Sequence, residues 1–444
     1  MKAESKRSTL KRTAKWLYPG IGVKRWAGLV ALSATSAVLG ILGLLGKELV
    51  LNLYAVFVPK AFYAYLLWGL LIVGGALGVA FGVNMFLRSI VRGVAPWAEK
   101  QTADILYGQR ILSRGPKIVA IGGGTGLSTI LRGLKEITSN ITAVVTVMDD
   151  GGSSGKLRRE LKMLPPGDIR NCIIALAEDE SKIAEIFQHR FRKSGSLNGH
   201  SLGNLVIAAM KEMTGSFDKA IEEMSYVLNI RGQVLPATLE HADLVAEMED
   251  GHLVKGESEI AADPRRIKRM RLSKPKVTAY PKVLDEIKAS DIIVLGPGSL
   301  FTSLIPNLLV EGIAEAIEKS EALKFYVVNL MTQPGETDNF TVSDHIKKLA
   351  EYIDISIFDY VITNMAEVPT HLLKQYRKDH SVPVENDLSE ENEWGLAVVR
   401  APLVDVVELE GKPTVKHDAK KLAKLIVELS KAEFERFPLK SLVH

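Results

Sequence analysis

Only one cysteine, Cys172, occurs in the 444 residues. An internal disulfide framework and a Cys-rich zinc site are therefore excluded. A chain built without disulfides suits a reducing compartment. Nine histidines are present, none at H-x-x-x-H spacing, so no metal site is expected. Aromatic residues make up 7%. None interleaves with the dense basic stretch at residues 265–276, where seven Lys and Arg side chains stand without an acid. Single-stranded nucleic acid is held by aromatic stacking as well as charge, so no nucleic-acid partner is expected. A solvated basic strand, an anion contact or attraction to an anionic leaflet fits that stretch better. No Gly-Lys-Ser/Thr follows a glycine-rich turn, which excludes a P-loop, and a hydrolase triad finds no support. Disorder is excluded too, since 47% of the residues are hydrophobic and 24% charged.

Long apolar runs are present, and both lie in the first ninety residues. Residues 26–46 and 61–87 contain no charged side chain. Each is long enough to cross a hydrocarbon core of about 30 Å. Gly74, Gly75 and Gly78 suit close helix packing in lipid, and Trp26, Tyr54, Tyr63 and Trp68 suit its interfaces. A cleaved signal peptide would end sooner than the first run does. Residues 1–92 therefore read as a membrane anchor of two transmembrane helices. Eight basic residues precede Trp26, while the loop at 47–60 holds only Lys47 and Lys60. The bias places the N-terminus and everything after Arg88 in the cytoplasm, on the inner (plasma) membrane.

The formal net charge of +4 hides a division. Residues 1–25 carry eight basic side chains against Glu4, and residues 26–92 carry four against Glu48. The remaining 352 residues therefore carry a net −6. The basic character belongs to the anchor.

A connector at 93–116 leads to a domain at 117–444. There, short β-branched runs alternate with helical patterns: 117–122 strand, 125–135 helix, 141–148 strand. Such alternation indicates an α/β fold with a mostly parallel, Rossmann-like sheet covered on both faces. Residues 168–229 read as a helical insertion. Residues 244–249 and 252–259 read as a hairpin about Asp250-Gly251. Strands return at 291–296, 324–330 and 358–364, and 418–434 reads as a final amphipathic helix. Cys172 sits in an apolar helical run and reads as a core residue.

Three loops could carry chemistry. Gly122-Gly123-Gly124-Thr125-Gly126 joins the first strand to a helix, where the backbone can approach a phosphate and the helix N-terminus offers free N–H groups. Leu127 occupies the place of the third glycine of G-x-G-x-x-G, so the dinucleotide fingerprint is broken. The second strand ends in Asp149-Asp150, 27 positions after Gly122, near where a ribose-binding acid falls. Two carboxylates there could also hold Mg²⁺ through water or act as a base. Gly296-Pro297-Gly298-Ser299-Leu300 is a second glycine-rich turn before a helix. Two such cradles suggest a diphosphate. His200 and Asn204 flank Ser201, a plausible helix cap, and could reach a ligand.

The stretches AIGGGTGLSTILRGLK, VMDDGGSSGKLRRELKMLPPGDIRNC, GHSLGNL, GPGSLFTSLIPNLLV and NLMTQPGETDNFTVSDH together resemble the YvcK-type gluconeogenesis-factor family, a branch of the superfamily of CofD, the 2-phospho-L-lactate transferase. The resemblance runs from Lys117 to His345. It implies a Rossmann-like core with a helical insertion, often a homodimer. It implies binding of a nucleotide-activated sugar, chiefly UDP-N-acetylglucosamine, and a regulatory role in cell envelope, cell shape and gluconeogenic carbon metabolism through unidentified protein partners. The implied ligand contacts are Gly123, Gly124, Thr125, Gly126, Asp149, Asp150, Asn204, Gly296, Gly298, Ser299, Leu300, Asn329 and Thr332. The membrane anchor departs from the many soluble members.

Two readings of function stand at this point. One is a membrane-tethered UDP-sugar-binding regulator without catalysis. The other is a CofD-like, Mg²⁺-dependent transferase with a nucleoside-diphosphate-activated donor, in which Asp149 or Asp150 positions the metal or the acceptor. An NAD-dependent oxidoreductase is disfavoured by the broken fingerprint.

Overall fold

A computed structural model of the chain describes residues 23–45, 61–94, 111–192, 195–389, 391–409 and 412–436. The basic segment before residue 23, the 46–60 loop with Tyr54, and most of the connector lie outside the described residues. By compactness the chain divides into residues 1–108 and 109–444.

In the first unit, helix α1 (Val23–Leu45) covers the first uncharged run as far as residue 45, and α2 (Ala61–Val94) contains the second. Their apolar windows, 25–44 and 66–86, are long enough to cross a membrane by length and composition. Glycines let the two backbones approach. A Cβ on Gly75 would stand 2.7 Å from the Ala37 nitrogen and the Ser33 oxygen, a separation no side chain permits. Trp26 meets Phe81 edge-on at 5.9 Å. Leu32, Leu70 and Leu77 point outward, between 62% and 71% exposed. An apolar exterior is the reverse of a soluble core helix.

The strands of the second unit are β1 (Ile118–Gly122), β2 (Ile141–Val145), β3 (Gln233–Pro236), β4 (Leu244–Met248), β5 (Leu253–Lys255), β6 (Ile267–Leu272), β7 (Ile292–Leu295), β8 (Leu323–Val327), β9 (Tyr360–Asn364), β10 (Ala397–Ala401), β11 (Val404–Leu409) and β12 (Lys412–His417). Seven of them form one sheet in the order β10-β9-β8-β7-β1-β2-β3, every pairing parallel. β4 pairs antiparallel with β5 and β6, and β11 with β12. The expected α/β fold with a parallel sheet is present.

Between β1 and β2 lies α3 (Gly124–Leu134). Between β2 and β3 lie α4 (Gly152–Leu161), α5 (Gly167–Leu176), α6 (Glu180–Gln188), α7 (Leu202–Thr214) and α8 (Phe217–Val227), the expected helical insertion. Further along come α9 (Glu257–Ala262), α10 (Pro281–Lys288), α11 (Ile305–Leu308), α12 (Ile313–Lys319), α13 (Val342–Leu349), α14 (Thr370–Lys378) and α15 (Ala419–Arg436).

Both faces of the sheet are covered, and strand residues alternate between two cores. Ile118, Ala120 and Val145 pack with Leu127, Ile130, Ile173, Ile207 and Leu422. Val119, Ile121 and Val144 pack with Val283, Ile317, Ile346 and the β4–β6 sheet through Ala246 and Met270. Cys172 is fully buried in the first core, as its surroundings in the sequence indicated.

Several boundaries differ from the sequence reading: the strand expected over 324–330 ends at Val327 and that over 358–364 starts at Tyr360. The second strand stops at Val145 rather than Met148, and residues 146–150 form a loop at the sheet's edge. The hairpin strand expected to reach Glu259 stops at Lys255. Gly256 takes φ +103, and α9 starts there, its Ser258 N–H bonded to the Asp150 side chain at 2.9 Å.

Candidate functional site

From β1 the chain moves to β2 and β3 on one side. It later returns to β7 on the other side of β1. Strand order therefore reverses between β1 and β7, where an open α/β sheet forms a crevice beyond its carboxyl ends. The two glycine-rich turns meet there. A Cβ on Gly126 would lie 2.4 Å from the Pro297 carbonyl oxygen and 2.7 Å from Gly298 Cα, so only hydrogen fits between these backbones. Gly124 holds φ +59 at the first position of α3, a conformation glycine adopts without strain. Extended Gly123 lies against Thr146; a Cβ there would be 2.6 Å from Thr146 Cγ2. Thr125 is exposed in the first turn.

The two cradles are unequal. Beyond β7, the helix start is closed by an internal acid. The buried Glu336 carboxylate accepts from the Ser299 hydroxyl, from Thr302 Oγ1 at 3.2 Å, and from the Phe301 and Thr302 N–H groups; burial pushes its pKa up. Gly298 N–H donates to Asn329 Oδ1 at 3.1 Å. Leu300 is fully buried in the core. Thr332 is 2% exposed and bonded to the Val382 backbone. The turn at Gly296 thus braces the crevice with its own side chains.

At the other cradle Asp168, from the first turn of α5, accepts from the Gly124 backbone N–H. Desolvation, with the nearby Asp149 charge, pushes its carboxyl up to about 7. Asp149 accepts from Gly151 N–H at 2.8 Å, and burial raises its pKa as well. Glu257 is pushed to about 8 by burial and then by the charges of Asp149, Asp150, Asp168 and Glu336. Acids therefore gather on this side. Among the described residues no three His, Cys, Asp or Glu side chains could hold a metal ion together.

Asp150, next in sequence to Asp149, is turned to a structural task at α9. Ser153 Oγ meets His200 Nδ1 at 3.0 Å and accepts from Asn204 Nδ2 at 3.0 Å. Asn204 Oδ1 accepts from Arg170 at 2.7 Å, and Arg170 also reaches Ser201 and Asn171. His200 and Asn204 thus form one buried network. Residues 151–155 do satisfy G-x-S-x-G spacing, which corrects the expectation, behind the unsupported hydrolase triad, that no such elbow is present. The pair is no nucleophile, because Ser153 is 5% exposed and no carboxylate among the described residues bonds His200.

Arg170 is 7% exposed, its partners are neutral, and its Nε has none. Desolvation, then Arg190, lowers its pKa to about 10. It lines a cleft of about 1560 Å³ with Thr125, Arg132, Arg190, Lys416 and His417. Lys416, half-buried on β12, places Nζ 3.1 Å from Thr125 Oγ1 and forms no ion pair among the described residues. Desolvation and then Arg132 lower its pKa. His417 Nε2 is buried without a partner, and desolvation holds the ring near 4, so it is neutral. A helix N-terminus facing an unpaired ammonium and a half-satisfied guanidinium is an arrangement for an anion.

Sequence reasoning named the glycines and Asp149 but missed Asp168, Arg170, Glu257, Glu336 and Lys416. Asp168 could have been found, since an acid after Pro165-Pro166-Gly167 marks a helix start. Lys416 offers no local signal; a hairpin 291 residues downstream brings it to Thr125.

The sequence profile described as 2-phospho-L-lactate transferase CofD matches residues 118–404. The gluconeogenesis factor of Bacillus subtilis is 48% identical over 316 residues, 71% of this chain and 98% of that one. A Nostoc sp. protein named for the same factor is 43% identical over 426 residues, 93% of this chain and 91% of its own, a match too long to be confined to the α/β domain. A Bacillus halodurans crystal structure superposes with a TM-score of 0.67 at 44% identity, covering 71% of this chain and all of that one. The chain belongs to the CofD family, in the branch of the gluconeogenesis factors.

Proposed function

We propose that the domain binds a nucleotide-activated sugar, chiefly UDP-N-acetylglucosamine, and acts as a regulator linking envelope and cell shape to gluconeogenic carbon metabolism. The observation that carries this is the cleft itself: Thr125 at the α3 N-terminus, the Lys416 ammonium bonded to it, and Arg170 line the same space. Donors and positive charge converge where a diphosphate would lie. Names among the relatives support a metabolic regulator. Helices α1 and α2 anchor the chain in the inner membrane, with the N-terminus and the domain in the cytoplasm; the apolar exterior of the hairpin supports this. Tethering would concentrate the sensor where envelope precursors are made. Calorimetric titration of the detergent-solubilised chain with UDP-N-acetylglucosamine should give saturable heat. No heat and no thermal shift at millimolar ligand would refute the reading.

A second reading rests on the Asp149–Asp168 pair, since a carboxyl near 7 is poised for proton transfer. In a CofD-like transfer the acceptor oxygen bonds to phosphorus, the bond to the nucleotide leaving group breaks, and Asp168 takes the hydroxyl proton. Mg²⁺, when bound, supplies charge neutralisation at the phosphates. One carboxylate with ligand phosphate oxygens suits this ion, and Asp149 would hold it, leaving Asp168 as the base. Product formed from activated donors with Mg²⁺, and lost in Asp168→Asn, would establish this chemistry.

A further inference from the structure

A second cavity, of about 520 Å³, lies on the other side of the Asp149-Asp150 turn, between α4 and the β4–β5 hairpin. Four cations line it, Arg158, Arg159, Lys162 and Lys255, against two carboxylates, Asp150 and Asp243. The acids do not neutralise the cations evenly. Arg158 and Lys255 both pair with Asp243. Arg159 reaches only the Asp150 carbonyl oxygen, at 3.4 Å, and Lys162 makes no ion pair among the described residues. Two unpaired cations therefore face the same space.

The backbone there is held in an unusual form. Lys162 ends α4 at φ 46, in the left-handed region, where a non-glycine residue is rare and such strain gathers at functional positions. His241, also in the wall, hydrogen-bonds the Lys162 backbone. Gly256 closes the floor; a Cβ on it would meet Asp150 Oδ2 at 2.4 Å.

We propose that this cavity is an anion-binding site for a phosphate monoester, separate from the cleft at Thr125, with Arg159 and Lys162 as its principal phosphate contacts. The net lining charge of +2 matches a dianion carrying about −1.5 to −2 at neutral pH. Two lysines and two arginines around a small volume supply the donors a phosphate takes up. The pocket and the cleft have no lining residue in common, and Asp150, which lines the pocket, also anchors α9.

The test titrates inorganic phosphate into the full chain in detergent at constant ionic strength, followed by ³¹P NMR line broadening. The wild type should show saturable binding. The double variant Arg159→Gln/Lys162→Gln should weaken it at least tenfold, while Lys416→Gln leaves this binding in place. Matching thermal transitions of the variants would show that both fold. Unchanged phosphate binding in the double variant, or loss in Lys416→Gln alone, would overturn the proposal. Titration of the double variant with UDP-N-acetylglucosamine separates the two sites. If the nucleotide sugar fails to bind even the wild type while the phosphate result holds, the cleft reading falls and this one stands.

Discussion

At the residue scale the candidate site is a contest between carboxyl groups and their surroundings. Asp168 keeps its proton in the folded chain to about pH 7, whereas an unfolded aspartate loses it near pH 4. Between those values the native state holds more protons than the unfolded one, so raising the pH removes stability. Glu257, pushed to about 8, extends the loss. Melting temperature should therefore fall as pH rises from about 4 to 8, and Asp168→Asn should flatten the first part of that slope. A profile rising across this window would contradict the assignment. Lys416 tests the opposite charge. Removing its ammonium in Lys416→Gln should cost about 1.5–3 kcal/mol of binding, roughly 10- to 100-fold in affinity for UDP-N-acetylglucosamine, with little change in melting temperature. The same residues show how far a local reading reaches. Gly124 and Asp149 stand beside strand ends, and their pattern is visible within a dozen positions. Asp150 looks equivalent to Asp149 in sequence, yet one rotation of the loop sends it to α9.

At the element scale the strands were legible because β-branched runs such as 118–121 are buried on both faces. The edge strand β10 and the hairpin β11–β12 were not. They are partly exposed, and no continuous apolar run announces them. The turn after β7 was read as a phosphate cradle on its glycines alone. That Glu336 closes it depends on a loop about 35 residues further on, beyond any local pattern. Contact between the two glycine turns predicts a steric test. Gly126→Ala would force a methyl group into the Pro297-Gly298 backbone and should cost about 1–3 kcal/mol, seen as a lower melting temperature with weakened nucleotide binding. In the other unit, Gly75→Leu should separate α1 from α2, since Ala37 and Ser33 leave no room. Cross-linking between cysteines introduced at Ser36 and Leu71, which touch through a hydrogen bond, would fall in that variant.

At the scale of the whole molecule the charge division matters most. The first 92 residues hold the basic excess, and the remaining 352 carry a net −6. The basic pI of the whole chain therefore describes the first unit, while the α/β domain is acidic. Protease added outside intact spheroplasts should leave the domain uncut, and disruption of the membrane should expose it; cleavage from outside would invert the proposed topology.

Lys416 reaches Thr125 from β12, and α15 then packs on α3 so closely that a Cβ on Gly133 would lie 1.9 Å from the Ala419 oxygen. All seven strands of the parallel sheet precede Lys416 in the chain, so the ammonium at the cleft comes from beyond the sheet. A copy cut short before β12 would therefore carry the whole parallel sheet and still lack the ammonium beside Thr125.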